Sequence, residues 1–159
     1  MMARFKSTDT APERSLRSVL RSAGLAGYRV NARGLPGKPD VAYTRWKVAI
    51  FVDGEFWHGH PDVFRFGTKG PYWDAKVARN KTRDRAAEFA LNRNGWRVLR
   101  VWSLDVRRNP RECLGRVVDA LAAAGHPAAI RAVSAAEQRD PVRVPTFDPA
   151  SASRARVLL

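Results

Sequence analysis

The chain has 159 residues, enough for one domain around a single core, and its 29 Lys and Arg residues against 15 acidic ones give a formal net charge of +14 at pH 7. This charge predicts a polyanionic partner, and nucleic acid is favoured over a membrane surface because no apolar run approaches the roughly 18 residues of a spanning helix. The sequence also shows no signal-peptide apolar region and only one cysteine, Cys113, so we expect a cytoplasmic protein without an internal disulfide or a multi-cysteine zinc site.

The distribution of glycine, proline and polar residues predicts one compact unit over residues 1–124 and a weakly ordered tail over 125–159. Thr10-Ala-Pro-Glu13 combines a capping box with a proline in the first turn, which predicts a first helix that ends at Gly24. Three short apolar segments follow at 28–30, 41–43 and 48–52. The last of these has no polar alternation, which is typical of a central strand buried on both faces.

A glycine-rich, aromatic loop at 54–70 separates these strands from a long helix expected over 71–94. Residues 98–102 then predict a strand and 110–124 a helix, and a further short helix is expected around 128–139. Strands followed by helix, strand and helix indicate an α/β sandwich with a mixed sheet, in which the long helix crosses over between two parallel strands.

Acidic residues surround the predicted central strand. Asp40 opens one strand after Pro39, and Asp53 and Glu55 follow the end of the next. Carboxylates with open water positions suit Mg²⁺, which stabilises charge on a phosphate and activates an attacking water. The spacing resembles the PD…(D/E)xK pattern of restriction-type nucleases, although Glu55 stands where that pattern has lysine. The alternative for Asp40 is a turn carboxylate that accepts backbone amides.

The loop after this strand begins with Phe56, Trp57 and His58. Large aromatic residues on a glycine-flanked loop must bury against something, and in a basic protein an opened base step of DNA is one candidate. Histidine near a metal-bound water is suited to proton transfer. The alternative is that the aromatic residues fill the core and that His58 makes only a structural hydrogen bond.

The long helix carries one stripe of residues at spacings of four and three. The stripe comprises Trp73, Val77, Asn80, Asp84, Ala87 and Leu91. Asp84 interrupts its apolar part, so we expect it to reach the metal site or to orient a histidine there; pairing with Arg83 or Arg85 is equally consistent with the spacing. Lys69 and Lys76 lie in the same basic region and are candidates for phosphate contacts, although charged helix faces are usually only solvated.

Several separate motifs occur in the order and spacing of the very-short-patch repair endonucleases, which this chain resembles over residues 2–122. These motifs are Thr10-Ala-Pro-Glu13, Leu35-Pro-Gly-Lys-Pro-Asp40, Ile50-Phe-Val-Asp-Gly-Glu-Phe-Trp-His58, Tyr72-Trp73, Arg79-Asn80, Arg83-Asp84 and Gly95-Trp-Arg-Val-Leu99. The resemblance implies a restriction-endonuclease-like three-layer sandwich that nicks double-stranded DNA 5′ to the thymine of a T:G mismatch, the product of 5-methylcytosine deamination.

The resemblance also implies roles for individual residues. Asp40 and the backbone carbonyl of Val52 look like Mg²⁺ ligands, and Glu13 looks like a ligand that acts through water. His58 is similar to the catalytic histidine of the family, and Asp84 to the carboxylate that supports it. Phe56, Trp57 and Trp73 look like the aromatic residues that insert beside the mismatch. Lys69, Lys76 and Asn80 are further candidates for DNA contacts.

The chain departs from the family where relatives bind a structural zinc ion. The corresponding positions read Glu55, His60, Asp62 and Ser103, so three thiolates are missing and no structural zinc is expected. We expect hydrogen bonds among Glu55, His60 and a neighbouring basic group instead. Asp53 stands where some relatives have histidine, which makes it a candidate for a direct metal ligand.

Three functions remain open at this point: a mismatch-directed nickase, a restriction or defence endonuclease with other target recognition, and a non-catalytic DNA-binding relative. The carboxylate and histidine set argues against the third. The mismatch function predicts a monomer with a functional link to a DNA cytosine methyltransferase and to other repair proteins.

Overall fold

The structure, a computed structural model, describes residues 8–139. Its elements in chain order are α1 Ala11–Ser22, β1 Arg29–Val30, β2 Val41–Tyr43, β3 Val48–Asp53, α2 Pro71–Arg93, β4 Arg97–Trp102, α3 Ser103–Arg108, α4 Pro110–Ala123 and α5 Pro127–Arg139. Over the described range, no helix combines the length and the apolar character that crossing a membrane requires.

The strands within residues 8–139 form a mixed sheet in the order β1-β2-β3-β4. β1, β2 and β3 are antiparallel neighbours, whereas β3 and β4 run parallel, from the pair Val48↔Arg97 to the pair Asp53↔Trp102. Because parallel neighbours need a crossover, α2 connects them, and the predicted crossover is confirmed. β3 is an interior strand with five of its six residues buried, as its continuous apolar sequence predicted.

Helices cover both faces of this sheet, which gives the three-layer α/β sandwich expected of the restriction-endonuclease-like fold. Alternate residues of β3 point to opposite faces. Val48 and Ile50 pack in the larger core with residues of α1 and α4. Ala49 and Phe51 pack on the other face against Leu91 of α2. The site described below lies on the α2 face and at one edge of the sheet.

Helix α1 begins as predicted, but its capping box is incomplete. Thr10 Oγ1 donates to Glu13 Oε1 (2.8 Å) and accepts no backbone amide, while the backbone amide of Asp9 donates to Glu13 Oε2 (2.8 Å). The Glu13 carboxylate therefore holds the segment before the helix, and the reciprocal bond expected from the Thr10 hydroxyl is absent.

Helix α3 was not predicted from the sequence. It starts at Ser103, directly after the last residue of β4, and runs for six residues. Such a short helix is stabilised by burial of Val106 in the core rather than by a repeating apolar pattern.

Helix α5 falls in the segment that we expected to be weakly ordered. The short helix predicted around 128–139 is present, and it is docked more firmly than expected, because Ala129 is fully buried in the core with Leu121 of α4. The folded part of the chain therefore continues past residue 124. Residues 140–159 of the predicted tail lie outside the described residues.

Candidate active site

The residues that the sequence singled out lie at one edge of the sheet, where the carboxyl ends of the parallel strands β3 and β4 meet. β3 ends at Asp53 beside the end of β4, and the antiparallel β2 starts at this same edge directly after Asp40. The loop 54–70 and the middle of α2 lie next to this edge. Residues that are far apart in the sequence are therefore neighbours here because parallel strands end together.

Asp40 is fixed to the end of β3 by a hydrogen bond. The Val52 amide donates to Asp40 Oδ2 at 2.7 Å. The turn before Asp40 lies close to α2, since a Cβ on Gly37 would meet the Ala87 Cβ at 2.8 Å, and Gly37 also has a φ of +73°. Asp40 Oδ2 therefore accepts a backbone amide, as the alternative interpretation expected, although the amide belongs to a strand and not to a turn. This hydrogen bond holds the carboxylate beside the Val52 backbone.

Negative charge concentrates around Asp40. The pKa of the Asp40 carboxyl is raised from its usual 3.8 to about 6: burial is the largest cause and the charges of Glu13 and Asp53 add to it, while the Val52 hydrogen bond and Arg100 lower the pKa. A partly buried carboxyl in such surroundings favours a bound cation. Among residues 8–139, no three His, Cys, Asp or Glu side chains converge into a metal-binding group. Mg²⁺ often takes only one or two carboxylates and keeps several waters, so the donors near Asp40 fit it.

Glu13 is buried and already has local partners. Both of its oxygens accept hydrogen bonds, from Thr10 and from the Asp9 amide, and Arg17 lies 3.8 Å away. Its negative charge contributes to the raised pKa of the Asp40 carboxyl. A role for Glu13 through water stays a prediction.

His58 and Asp84 form a pair between the loop and α2. Their Nδ1 and Oδ2 atoms are 2.6 Å apart. Asp84 also contacts Arg100 at 3.2 Å, so its pairing with Arg83 or Arg85 is wrong. Burial lowers the pKa of the His58 imidazole, but the Asp84 hydrogen bond and the charges of Asp53 and Asp84 outweigh it, and the pKa lies above its usual value. At Asp84 burial raises the pKa of the carboxyl, but the His58 hydrogen bond and the charges of Arg100 and His58 outweigh it, and the pKa lies below its usual value.

Arg100 is the residue of this site that the sequence reasoning missed. Its Nε donates to Asp53 Oδ2 (2.6 Å) and one terminal nitrogen donates to Asp53 Oδ1 (2.8 Å). The signal was available, since an arginine inside the apolar segment 98–102 requires a buried acidic partner. Both oxygens of Asp53 are engaged in this way, so the structure does not show the open carboxylate that a direct metal ligand needs.

The aromatic residues form a cluster beside this pair. Phe56 makes edge contacts with Trp57 at 5.2 Å and with Trp73 at 5.1 Å between ring centroids, and also with the buried Phe64. Trp57 and Trp73 are only partly buried. The rings pack on one another, as a core function would require, and still leave surface exposed that could contact DNA. Both interpretations of the sequence are therefore compatible with the cluster.

The basic and amide side chains on α2 support this cluster. The Lys76 ammonium lies 5.0 Å from the centroid of the Trp57 ring and 5.6 Å from that of Trp73. Asn80 donates to the Trp57 carbonyl (2.8 Å), which fastens the loop to α2. Lys69 is exposed. Direct contacts of Lys69, Lys76 and Asn80 with DNA stay predictions.

The positions that replace the zinc ligands of relatives form a polar cross-link. Ser103 Oγ donates to Glu55 Oε1 at 3.0 Å, and Arg107 contacts the same oxygen at 3.2 Å. The expected basic partner of Glu55 is therefore present. The His60 side chain does not join it, because its ring packs edge-on against Trp102 at 4.7 Å. Absence of zinc stays a prediction that elemental analysis of the purified protein tests.

The α/β fold with its mixed sheet is that of a restriction-endonuclease-like protein, and the ends of its central strands carry Asp40, Asp53 and the His58–Asp84 pair. The family model of DNA mismatch endonuclease Vsr matches residues 1–63. Type II nicking enzyme V.HpaIIP of Haemophilus parainfluenzae is 40% identical over 115 residues, covering 70% of this chain and 81% of that protein.

Two further relatives agree. Type II nicking enzyme V.NmeDIP of Neisseria meningitidis serogroup C is 42% identical over 119 residues, covering 73% of this chain and 80% of that protein. DNA mismatch endonuclease Vsr of Escherichia coli (strain K12) is 39% identical over 108 residues, covering 67% of this chain and 69% of that protein. The chain belongs to the Vsr family of DNA endonucleases.

Proposed function

We propose that this protein hydrolyses one phosphodiester of double-stranded DNA, 5′ to the thymine of a T:G mismatch, with Mg²⁺ as cofactor. The observation that carries the proposal is the His58–Asp84 hydrogen bond near the end of β3, the strand end at which the Val52 amide holds the partly buried Asp40. It brings a proton-transfer group and a candidate metal ligand to the same edge of the sheet. Membership of the Vsr family supports the choice of DNA as substrate.

The metal would be held by the Asp40 carboxylate and the Val52 carbonyl. When bound, Mg²⁺ supplies charge neutralisation at the phosphate and a more acidic water. The protein's own task is to hold these two donors in place, and the Val52 amide fixes Asp40 for that purpose. Burial and neighbouring carboxylates disfavour the ionised Asp40 alone, so the site is arranged for use with a cation.

His58 is assigned the proton transfer. Asp84 accepts from His58 Nδ1 when that nitrogen carries the proton, which leaves Nε2 to accept a proton from a water or to donate one to a leaving oxygen. Asp84 lies in the middle of a long helix packed against the sheet. It can therefore hold the imidazole in one orientation even though His58 lies on a loop.

The aromatic cluster is assigned the recognition of the mismatch. Partly exposed rings of Phe56, Trp57 and Trp73 can enter a base step, and the cost of opening that step is lowest where pairing is already poor. Lys76 lies against the same rings and would contact the adjacent backbone phosphates. Phe56 and Trp57 directly precede His58, so recognition of the mismatch would take place close to the proposed proton transfer.

The proposed substrate defines the partners. T:G mismatches arise when 5-methylcytosine is deaminated, so the protein would act in the cytoplasm, at the nucleoid, on DNA that a cytosine methyltransferase has modified. Other repair proteins would extend and seal the nick. A monomer suffices, because a single site cuts a single strand.

The test is strand-resolved cleavage of end-labelled duplexes that differ only in one base pair. Matched duplexes and duplexes with one T:G mismatch, each in several flanking sequences, are incubated with the protein and Mg²⁺. Asp40→Asn should abolish nicking while DNA affinity stays within about twofold, because Asn keeps the side-chain shape and only one of many charges changes. The exposed Asp119→Asn serves as the matched control and should nick normally.

Each outcome has a distinct meaning. A single nick beside the mismatched thymine supports the proposal. Equal cutting of matched duplexes would replace it with a restriction-type or defence endonuclease. Binding without cutting under any divalent cation would indicate a non-catalytic relative, and full activity of Asp40→Asn would remove Asp40 from the metal site.

A further inference from the structure

Arg100 connects the two carboxylates that surround His58. It lies in β4 opposite Phe51 of β3, on the face that α2 covers, and its guanidinium stacks over the Phe51 ring at 4.7 Å. From this position it reaches Asp53 at the end of β3 and Asp84 in the middle of α2. The residue therefore joins a strand end and a helix through one rigid, planar group.

The distances show how the oxygens around His58 are divided. Arg100 takes both oxygens of Asp53, at 2.6 and 2.8 Å, and Oδ1 of Asp84 at 3.2 Å. The remaining oxygen, Asp84 Oδ2, lies 2.6 Å from His58 Nδ1, whereas Asp53 is 3.7 Å from the same nitrogen. His58 thus has two acidic neighbours but hydrogen-bonds to only one.

Electrostatics give the reason for this division. Two carboxylates that flank one imidazole would compete for its hydrogen bond. Because the carboxylates also repel each other, the imidazole would be drawn to a position between them instead of binding one of them. A guanidinium has its donors in a fixed fork, which can bind one carboxylate through two bonds and still reach a second. A lysine in the same place would neutralise charge but could not assign each oxygen to a partner.

We propose that Arg100 is a positioning residue that directs His58 to Asp84 by holding the Asp53 carboxylate and one oxygen of Asp84. This inference rests on the proposed function, in which His58 transfers the proton. It adds a requirement that none of the sequence motifs contained: the imidazole is oriented only while the fork of Arg100 is in place.

The test compares wild-type protein with Arg100→Met, Arg100→Lys and Arg97→Met. Arg97 lies in the same strand and is exposed, so its replacement removes the same charge without touching the site. Two quantities are measured: the nitrogen-15 NMR signals of the His58 ring in DNA-free protein, assigned with His58→Gln, and the single-turnover nicking rate with the DNA dissociation constant measured separately.

Arg100→Met should lose the Nδ1–H signal typical of a hydrogen bond to a carboxylate. Its single-turnover rate should fall on the order of 10- to 100-fold, as for other residues that orient a catalytic group, while its DNA affinity should match that of Arg97→Met. Arg100→Lys should fold even if the methionine variant does not. It should show a shifted or broadened His58 signal and an intermediate rate.

Two results would overturn the inference. One is an unchanged His58 signal and nicking rate in Arg100→Met or, where that variant does not fold, in Arg100→Lys. The other is complete restoration by lysine, which would leave only charge as the role of Arg100. If wild-type protein does not nick the T:G duplex, the proposed function fails, but the ring signals in DNA-free protein still decide the positioning role.

Discussion

Asp40 must be ionised to bind a metal ion, but its surroundings disfavour the ionised carboxylate. The proposed metal ligand must be ionised, yet burial and the neighbouring acids raise the pKa of this carboxyl to about 6. A group whose pKa is higher in the folded than in the unfolded state stabilises the fold below its unfolded pKa, and this contribution disappears as the pH rises through the folded value. Ionised Asp40 therefore destabilises the metal-free protein at neutral pH.

Asp40→Asn should consequently stabilise the metal-free protein at about pH 8, because the ionised carboxyl is removed while the new amide oxygen can still accept from the Val52 amide. A pKa shift from 3.8 to about 6 corresponds to about 3 kcal/mol in the free energy of unfolding. Denaturant unfolding with a chelator present measures it. The difference should shrink as the pH falls through about 6 and should be lost towards about pH 3, below the usual pKa of 3.8, where wild-type Asp40 is protonated in both states. Equal stability of the two proteins at pH 8 would contradict the prediction.

His58 gives a second prediction at the residue scale. Its pKa is raised, with the Asp84 hydrogen bond and the charges of Asp53 and Asp84 outweighing burial. If neutral His58 accepts the proton, nicking must increase as the pH rises through this pKa. In Asp84→Asn the hydrogen bond to a charged acceptor is lost, so the His58 pKa falls and the acidic limb of the profile moves to lower pH while the maximum rate decreases.

Single-turnover nicking between about pH 5 and about pH 9 measures this profile, with Asp119→Asn as the control. If the acidic limb of the pH–rate profile of Asp84→Asn stays in place or moves to higher pH, a group other than His58 titrates in the reaction.

At the scale of elements, the contrast between α2 and α5 shows what a pattern can predict. The stripe on α2 runs over more than four turns, and Val77, Ala87 and Leu91 of that stripe are buried as predicted. α5 is shorter and rich in alanine, so its sequence indicated a helix without indicating a partner. The structure supplies the partner, because Ala129 lies in the core beside α4.

The docking of α5 makes a testable difference between two alanines of one helix. Ala129→Asp places a charge in the core and should lower the free energy of unfolding by at least about 2 kcal/mol. Ala132→Asp changes an exposed position of the same helix and should have an effect within about 0.5 kcal/mol. Equal effects in urea denaturation would mean that α5 is not docked on α4 in solution.

At the scale of the whole molecule, the proposed function gives different tasks to the net charge of +14 and to the aromatic cluster. Attraction to phosphates is independent of base sequence and weakens steeply with salt. In the proposed function the rings of the aromatic cluster would contact bases, and their contribution would depend on the mismatch.

Raising the salt concentration should therefore weaken binding to matched and T:G duplexes by the same factor. Each neutralised phosphate contributes about 0.9 to the slope of log affinity against log salt, while the ratio between the two duplexes should stay nearly constant. Fluorescence anisotropy titrations at several salt concentrations measure both quantities. A ratio that falls together with the affinity would indicate that mismatch selectivity is itself electrostatic.

The sequence by itself determined the elements of the described residues except α3, and most members of the candidate site. Local signals defined the long helix and the buried central strand, and Asp40, His58 and Asp84 were identified from motifs that lie along the chain in a recognisable order. Such information is local or depends on spacing, so it is present before the chain folds.

Only the tertiary structure decided which partner each charged group has. Asp84 contacts His58 and Arg100 instead of its sequence neighbours. Asp53 binds Arg100, and Glu13 accepts hydrogen bonds from the segment before α1. A carboxylate chooses among several cations and donors according to distances of a few ångströms and the burial around it. Those distances are set by the parallel pairing of β3 and β4 and by the packing of α2, neither of which is written at any single position of the chain.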